Sequence, residues 1–356
     1  VKNTRLEARS KTDIPAKLQG IIPPMVTPLE DRDTIDVDGL ERLIEHILSG
    51  GVAGLFILGT TGEAPGLSYR LRREVIERTC RQVAGRVPVL VGITDTSFME
   101  SVDLARHAES SGADAVVLSA PYYFLAGQRE LLNYVKNIAA ELPLPVFLYN
   151  MPSHTKLAFG PKVVRQAMEL PNILGLKDSS GDMLYFHKVQ RLLSSNRPDW
   201  TLLMGPEELL ADAVLSGGNG GVCGGANLCP RLYVDLYKAA RDKNMEIVRE
   251  LHSRVMHISE TLYTVGHNPS AFLKGLKCAL SCLGICSDAM SEPFQQFGPA
   301  DRDRIRQHLI DLQLLEAETP VARLDGPHEK GVARAIPQSS SEQIEVQASE
   351  TSELSN

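Results

Sequence analysis

Eight short runs rich in Val, Ile and Leu punctuate the first 225 residues of the chain: IIPPMVTP, AGLFILG, VPVLVGI, DAVVLSA, PVFLYN, ILGLKD, TLLMG and GGVCGG. Successive runs stand roughly 20 to 35 residues apart, and most of the gaps carry an amphipathic helical pattern, the signature of repeated strand–helix units. VDGLERLIEHILSGG, SYRLRREVIERTCRQVAG, MESVDLARHAESSG and QRELLNYVKNIAAE are such gaps. Near-continuous apolarity within each run suits parallel strands covered on both faces. Eight units predict a closed (β/α)8 TIM barrel. An open doubly wound sheet is the runner-up, but it normally announces itself with a dinucleotide-binding loop after its first strand, and none is visible.

After Cys229 and Pro230 the strand pattern stops, and helical periodicity continues through RLYVDLYKAARDKNMEIVRELHSRVMHISETLYTV, SAFLKGLKCALSCLG and ADRDRIRQHLIDLQLLEAE. From about Pro320 the chain turns to Ser, Glu and Gln with little periodicity, a composition that buries too little apolar surface to offset its ordering entropy. The expected organisation is an N-terminal arm over 1–19, a barrel over 20–230, a helical extension over 231–318 and a disordered tail over 319–356.

A net charge of −7 and a pI near 5.8 leave no basic stripe for neutralising phosphates, so no nucleic-acid partner is expected. No apolar stretch approaches the roughly 18 residues that span a bilayer, and the opening VKNTRLEARSKTD lacks the apolar centre of a secretory signal, so the expected location is the cytoplasm, with no membrane association. Six cysteines in 356 residues form no CxxC pair and fit a reducing compartment. Cys278, Cys282 and Cys286 recur at i, i+4, i+8; a buried helical face is the expected reason, and no metal is assigned.

In a barrel of this kind the chemistry sits at the C-terminal ends of the strands, so the residues that end each run or come just after it are the informative ones. Lys177 closes the run ILGLKD; a lysine ending a buried strand at a cleft can be desolvated, which favours the neutral amine that attacks a ketone. A solvated strand end is the bland reading of the same spacing. GTTGE, Gly59 to Glu63, offers backbone N–H groups and the hydroxyls of Thr60 and Thr61 to a small anion such as a carboxylate, though an ordinary capped turn has the same composition. PYYF brings Tyr122 and Tyr123, and YNMPSHT brings Tyr149; single tyrosines at strand ends are usually structural, but two near a nucleophilic lysine suggest a proton relay. Glu207 and Glu208 in GPEE are either dipole-complementing residues at a helix start or ligands for substrate hydroxyls.

GTTGE, PYY, YNMPSHT and GLKDSSGD, in this order and at these separations, closely resemble the dihydrodipicolinate synthase and N-acetylneuraminate lyase family of class I, pyruvate-dependent aldolases. The resemblance runs from about Gly20 to Phe297. It implies a (β/α)8 barrel, a homotetramer built as a dimer of dimers, and small-molecule partners: a 2-oxo acid and an aldehyde. It implies no cofactor, since the covalent imine on Lys177 is itself the electron sink. By motif position Lys177 would form the Schiff base and Tyr149 would shuttle the proton. Thr60 and Thr61 would hold the substrate carboxylate next to Gly59, and Thr60 would link Tyr149 to Tyr123, which in relatives reaches into a neighbouring subunit's site.

Departures from the family's patterns bear on the second substrate. Where dihydrodipicolinate synthases carry an arginine for the carboxylate of aspartate semialdehyde, this chain has His154, which is shorter and only partly charged near neutrality. The positions of Glu208 and Ser179 resemble sugar-hydroxyl contacts of the lyase branch, yet Gly224 stands where that branch has a serine. The leading expectation is therefore a reversible aldolase or lyase acting on a 2-oxo acid. Dihydrodipicolinate synthase is the alternative enzyme, and a noncatalytic 2-oxo acid sensor is the alternative from another class.

Overall fold

The computed structural model describes residues 17–316. The expected arm over 1–19, except for Lys17, Leu18 and Gln19, and the expected tail over 319–356 lie outside the described residues. Leu18 is buried, and its N–H donates to Thr201 Oγ1 at 3.0 Å.

The strands in chain order are β1 (Gly20–Ile21), a small antiparallel hairpin of β2 (Leu29–Asp31) and β3 (Thr34–Ile35), then β4 (Leu55–Ile57), β5 (Val89–Gly92), β6 (Ala115–Ser119), β7 (Val146–Asn150), β8 (Ile173–Asp178), β9 (Thr201–Met204) and β10 (Gly220–Gly221). Apart from the hairpin they form one parallel sheet of eight in the order β1-β10-β9-β8-β7-β6-β5-β4. The sheet closes on itself just beyond β1: Pro24 bridges Phe56 of β4 in parallel, Met25 N–H donates to Phe56 O at 2.8 Å, and Phe56 N–H donates to Pro23 O at 3.0 Å. Each strand of this sheet lies within one of the eight apolar runs, except that β1 begins one residue before the first of them, at Gly20. The hairpin was not legible as strand, because its turn, Asp31 to Thr34, interrupts the apolar pattern with polar residues.

The helices are α1 (Val37–Ser49), α2 (Tyr69–Val83), α3 (Phe98–Ser110), α4 (Gln128–Glu141), α5 (Pro152–Thr155), α6 (Pro161–Ala167), α7 (Met183–Asn196), α8 (Leu210–Leu215), α9 (Pro230–Arg241), α10 (Met245–Thr261), α11 (Ala271–Cys282) and α12 (Pro299–Asp311). Several begin where a short polar side chain accepts an otherwise orphaned backbone N–H: Asp36 caps α1, Ser68 caps α2, Ser97 caps α3 and Asp182 caps α7. The single helical run read from 231 to 265 is divided at Asp242–Asn244, where Lys243 takes a left-handed φ of 58° and Asn244 caps α10 through Ile247 N–H. Helix α9 comes after β10 and packs against β1 and α1, so it is the helix of the eighth strand–helix unit; the boundary drawn at residue 230 from the sequence falls at its first residue.

Two apolar layers result from the alternation of side chains along each strand. Leu18, Ile22, Phe56, Leu90, Ala115, Val117, Phe147, Tyr149, Leu203 and Val222 fill the barrel interior. Their strand neighbours, such as Val116, Leu118, Leu148, Leu176 and Leu202, face the helices and join the larger outer core.

Helix α11 is fastened to the barrel by a charged pair wholly out of water. Lys277 Nζ lies 2.7 Å from Glu63 Oε1, with both side chains fully buried. The lysine also donates to Thr27 O at 2.9 Å and to Ala289 O, while the other Glu63 oxygen accepts from Ser291 N–H at 2.8 Å and Ser291 Oγ at 3.0 Å. Removing one member of such a pair strands the other charge in the interior. Lys277→Met is therefore expected to cost about 3–5 kcal/mol of folding stability in urea denaturation; a cost below about 1 kcal/mol would show that the pair does not hold the helix in place.

Candidate active site

Lys177 reaches the inside of the barrel because of an irregularity in β8. Val146 of β7 pairs with Ile173, but Phe147 pairs with Gly175, so Leu174 is an extra residue in the register. An inserted residue inverts the in–out alternation beyond it. Strict alternation from the outward Ile173 would point Lys177 at the helices. The bulge instead sets Leu176 opposite the outward Leu148, and Lys177 opposite the inward Tyr149.

Only 6% of Lys177 is exposed. Its ammonium nitrogen sits 3.9 Å from the centroid of the Tyr149 ring and 5.0 Å from that of Phe56, and the two rings meet edge to face. Aromatic faces attract a cation without consuming it in an ion pair, so the amine stays available to a reactant. The Tyr149 hydroxyl lies 3.3 Å from Thr60 Oγ1. Burial on its own raises the Tyr149 phenol; the adjacent Lys177 charge, with hydrogen bonds from Thr60, Ser179 and Lys177, outweighs it and holds the phenol below the usual tyrosine value. The site thus couples an amine, an acidified phenol and a hydroxyl in one dry corner.

The ends of the strands are pinned by buried polar contacts. Asn150 Nδ2 donates to Asp178 Oδ1 at 2.8 Å, Ser179 N–H donates to Asn150 O at 2.8 Å, and Gly205 N–H donates to Asp178 O at 2.7 Å. Burial pushes the Asp178 carboxyl up, against the bonds it accepts from Asn150 and Ser180. Gly59 passes so close to Phe56 that an added Cβ would lie 2.6 Å from its ring, which fixes the GTTGE loop beside the site. Thr61 is buried in the same loop, and Glu63 continues into the pair with Lys277.

Lys177, Tyr149, Thr60 and Ser179 are thus brought together, with Gly59 and Thr61 in the adjoining loop. Tyr123 is not: it is 84% exposed at a left-handed φ of 81°, next to the equally open Phe124 and Leu125. Tyr122 is half-buried, its phenol raised by burial and then by the Asp95 charge. His154 lies exposed on α5 with Nδ1 3.0 Å from Ser153 Oγ, and partial desolvation, then the Lys156 charge, lowers its pKa. Glu208 is half-buried and accepts from Ser259 Oγ of α10. Gly224 is buried beneath Phe272, where an added Cβ would come within 2.5 Å of the ring.

Two further buried residues support the site. The Glu207 carboxylate is turned into the protein, where it accepts from Gly225 N–H at 2.7 Å, Tyr233 Oη at 2.6 Å and Tyr263 Oη at 2.8 Å; burial raises its pKa. No sequence signal separated its role from that of Glu208. Lys277 did carry one: it lies on the stripe of Leu273 and Leu280 at helical spacing, a charge on a face that is otherwise apolar.

Known proteins resemble this chain over most of its length. The profile of the dihydrodipicolinate synthetase family matches residues 17–311. The chain belongs to the dihydrodipicolinate synthetase family. It is a carbon–carbon lyase of the Schiff-base aldolase class, acting on a 2-oxo acid. A 4-hydroxy-tetrahydrodipicolinate synthase of Methanopyrus kandleri is 34% identical over 84% of this chain and 98% of its own length. A probable 2-dehydro-3-deoxy-D-pentonate aldolase of Escherichia coli is 32% identical over 76% of this chain and 88% of its own. The solved dihydrodipicolinate synthase of Bacteroides thetaiotaomicron is 54% identical, covers 83% of this chain and 98% of its own, and superposes with a TM-score of 0.81. Among the described residues no helix is long and apolar enough to cross a membrane, and no group of three or more His, Cys, Asp or Glu is placed to hold a metal ion.

The phenol of Tyr149 should report on its lysine. In an alkaline titration followed by phenolate absorbance, Tyr149 is expected to ionise before Tyr233 and Tyr263, which burial holds well above the usual value. Lys177→Met removes the cation that favours the phenolate and should move this early transition to higher pH; an unchanged transition would show that the two groups are not coupled.

Proposed function

We propose that Lys177 forms an imine with the keto carbon of pyruvate and that the bond made or broken is at the pyruvate methyl carbon. The observation that carries this reading is the Lys177 nitrogen lying 3.9 Å from the Tyr149 ring centroid, with the Tyr149 hydroxyl in reach of Thr60. The neutral amine adds to the carbonyl, the carbinolamine loses water, and the protonated imine draws electrons from the methyl carbon as a nucleophilic enamine forms. Tyr149 supplies and recovers the proton, with Thr60 as its neighbour in the relay. Backbone N–H groups from Gly59 onward and the Thr61 hydroxyl hold the carboxylate. No external cofactor enters this scheme.

In this reading His154, Ser179, Glu208 and the backbone at Gly224 would contact the aldehyde. An imidazole at His154, its pKa lowered, in place of a guanidinium favours a hydroxylated aldehyde over a carboxylated one. A second reading, condensation of pyruvate with aspartate semialdehyde, is favoured by the 54% identity to the synthase of Bacteroides thetaiotaomicron. The protein would work in the cytoplasm as a homotetramer, with the exposed Tyr123 entering the site of a second copy to complete the relay.

Incubation with pyruvate and borohydride, followed by peptide mass spectrometry, should find a reduced adduct on Lys177 and none in Lys177→Ala, which should also lose turnover. Trapping on another lysine would overturn the assignment. For the aldehyde, His154→Arg should raise kcat/KM for aspartate semialdehyde by about tenfold or more, the scale of one charge-assisted bidentate contact, and leave pyruvate trapping unchanged. A wild-type enzyme already efficient with aspartate semialdehyde and inert to hydroxylated oxo acids would establish the second reading.

A further inference from the structure

Two registers are open to β8 against β7. Paired without irregularity from Val146 and Ile173 onward, it would set Leu174 opposite Phe147 and Leu176 opposite Tyr149, both leucines on the inner face, with Lys177 outward opposite Asn150. The observed register carries one extra residue, and it sets Lys177 opposite Tyr149 and Asp178 opposite Asn150. Apolar burial does not choose between the two, because both faces of the sheet are covered by apolar layers and accommodate the leucines either way.

Gly175 permits the slipped register. There the chain passes so close to its neighbours that an added Cβ would lie 2.3 Å from Thr201 O on β9 and 3.0 Å from the Phe147 ring on β7. Asn150 and Asp178 then meet on the outer face, each only 1% exposed. Asn150 Nδ2 donates to Asp178 Oδ1 at 2.8 Å, and Asn150 Oδ1 accepts from Phe159 N–H at 3.0 Å. Asp178 Oδ1 also accepts from Ser180 N–H at 3.1 Å, and its Oδ2 accepts from Ser180 Oγ at 3.1 Å. Slipping back by one residue would break the bond between the two side chains and turn the carboxylate into the apolar barrel interior, where neither loss is made good by water.

We propose that Asn150 and Asp178 are positioning residues for the aldolase reaction: their bond, on the face of the sheet turned away from the site, locks the slipped register of β8 and so keeps Lys177 on the inner face against Tyr149. Tyr149 and Lys177 each directly precede one member of the pair, so the same two strand ends carry the clamp outward and the reacting groups inward. The bond acts here, not the charge. An amide at position 178 offers the same acceptor to Asn150 and to Ser180 N–H, and its NH2 group donates to Ser180 Oγ. The inference rests on Lys177 as the imine-forming residue, but the register itself is readable without any substrate, through the coupling of Lys177 to the Tyr149 phenol.

Asp178→Ala and Asn150→Ala each remove the bond in the full chain. Both should slow formation of the borohydride-trapped pyruvate adduct on Lys177 at least about tenfold, the scale on which misplaced reacting groups lose rate. In the same variants the early phenol transition of Tyr149 should move to higher pH, because the lysine no longer rests on its ring. Asp178→Asn, which keeps the bonds, should trap pyruvate within about twofold of the wild-type rate and leave the transition in place. Cooperative thermal melting checks that each variant is folded, and Asn150→Ser replaces an alanine variant that is not. Unchanged trapping or an unmoved transition in a folded variant lacking the bond would overturn the proposal, as would an Asp178→Asn enzyme as impaired as Asp178→Ala. Absence of any adduct in the wild type would instead remove the imine reading, and the Tyr149 transition would still decide the register.

Discussion

A lysine ammonium and a glutamate carboxylate 2.7 Å apart, both wholly removed from water, join the loop after the second barrel strand to a helix more than 200 residues later in the chain. Taking either charge out of water alone would be prohibitive, so the two must arrive together and must find further partners. They do: backbone carbonyls of Thr27 and Ala289 accept from Lys277, and Ser291 satisfies the second oxygen of Glu63. Because Glu63 ends the segment that carries Thr60 and Thr61, the position of those hydroxyls depends on helix α11 being in place. The helices beyond the barrel are therefore part of what shapes the site.

Within the barrel the same difficulty is solved differently. Lys177 is almost as buried as Lys277, but its ammonium rests against the faces of Tyr149 and Phe56. Ring faces stabilise a cation weakly compared with a carboxylate. A lysine paired with glutamate is a structural tie, while one held by aromatic faces keeps its amine open to a reactant. The Tyr149 phenol completes the contrast, since the charge that its ring stabilises also acidifies its hydroxyl.

Glu207 shows how the chemistry of neighbours divides. Two adjacent carboxylates come after β9, yet one turns inward to gather Gly225, Tyr233 and Tyr263, while the other meets Ser259 on α10. The inward carboxylate has three donors and no cation, which is why burial raises its pKa. It fixes the backbone after β10 on which Gly224 lies.

By itself the sequence determined the eight strand–helix units, since continuous apolar runs separated by amphipathic stretches leave few other solutions, and it determined the order of the motifs that place GTTGE, YNMPSHT and GLKDSSGD at strand ends. Local capping residues such as Asp36 and Ser68 fixed helix starts in the same legible way. The direction in which Lys177 points was decided only by the tertiary structure. Its parity along β8 depends on one extra residue, Leu174, and that register is set by pairing with Phe147 on the neighbouring strand. The division between Glu207 and Glu208, and the meeting of Glu63 with Lys277, were likewise decided by partners distant in sequence, because a carboxylate's role is set by the donors that surround it and not by its own position in the chain.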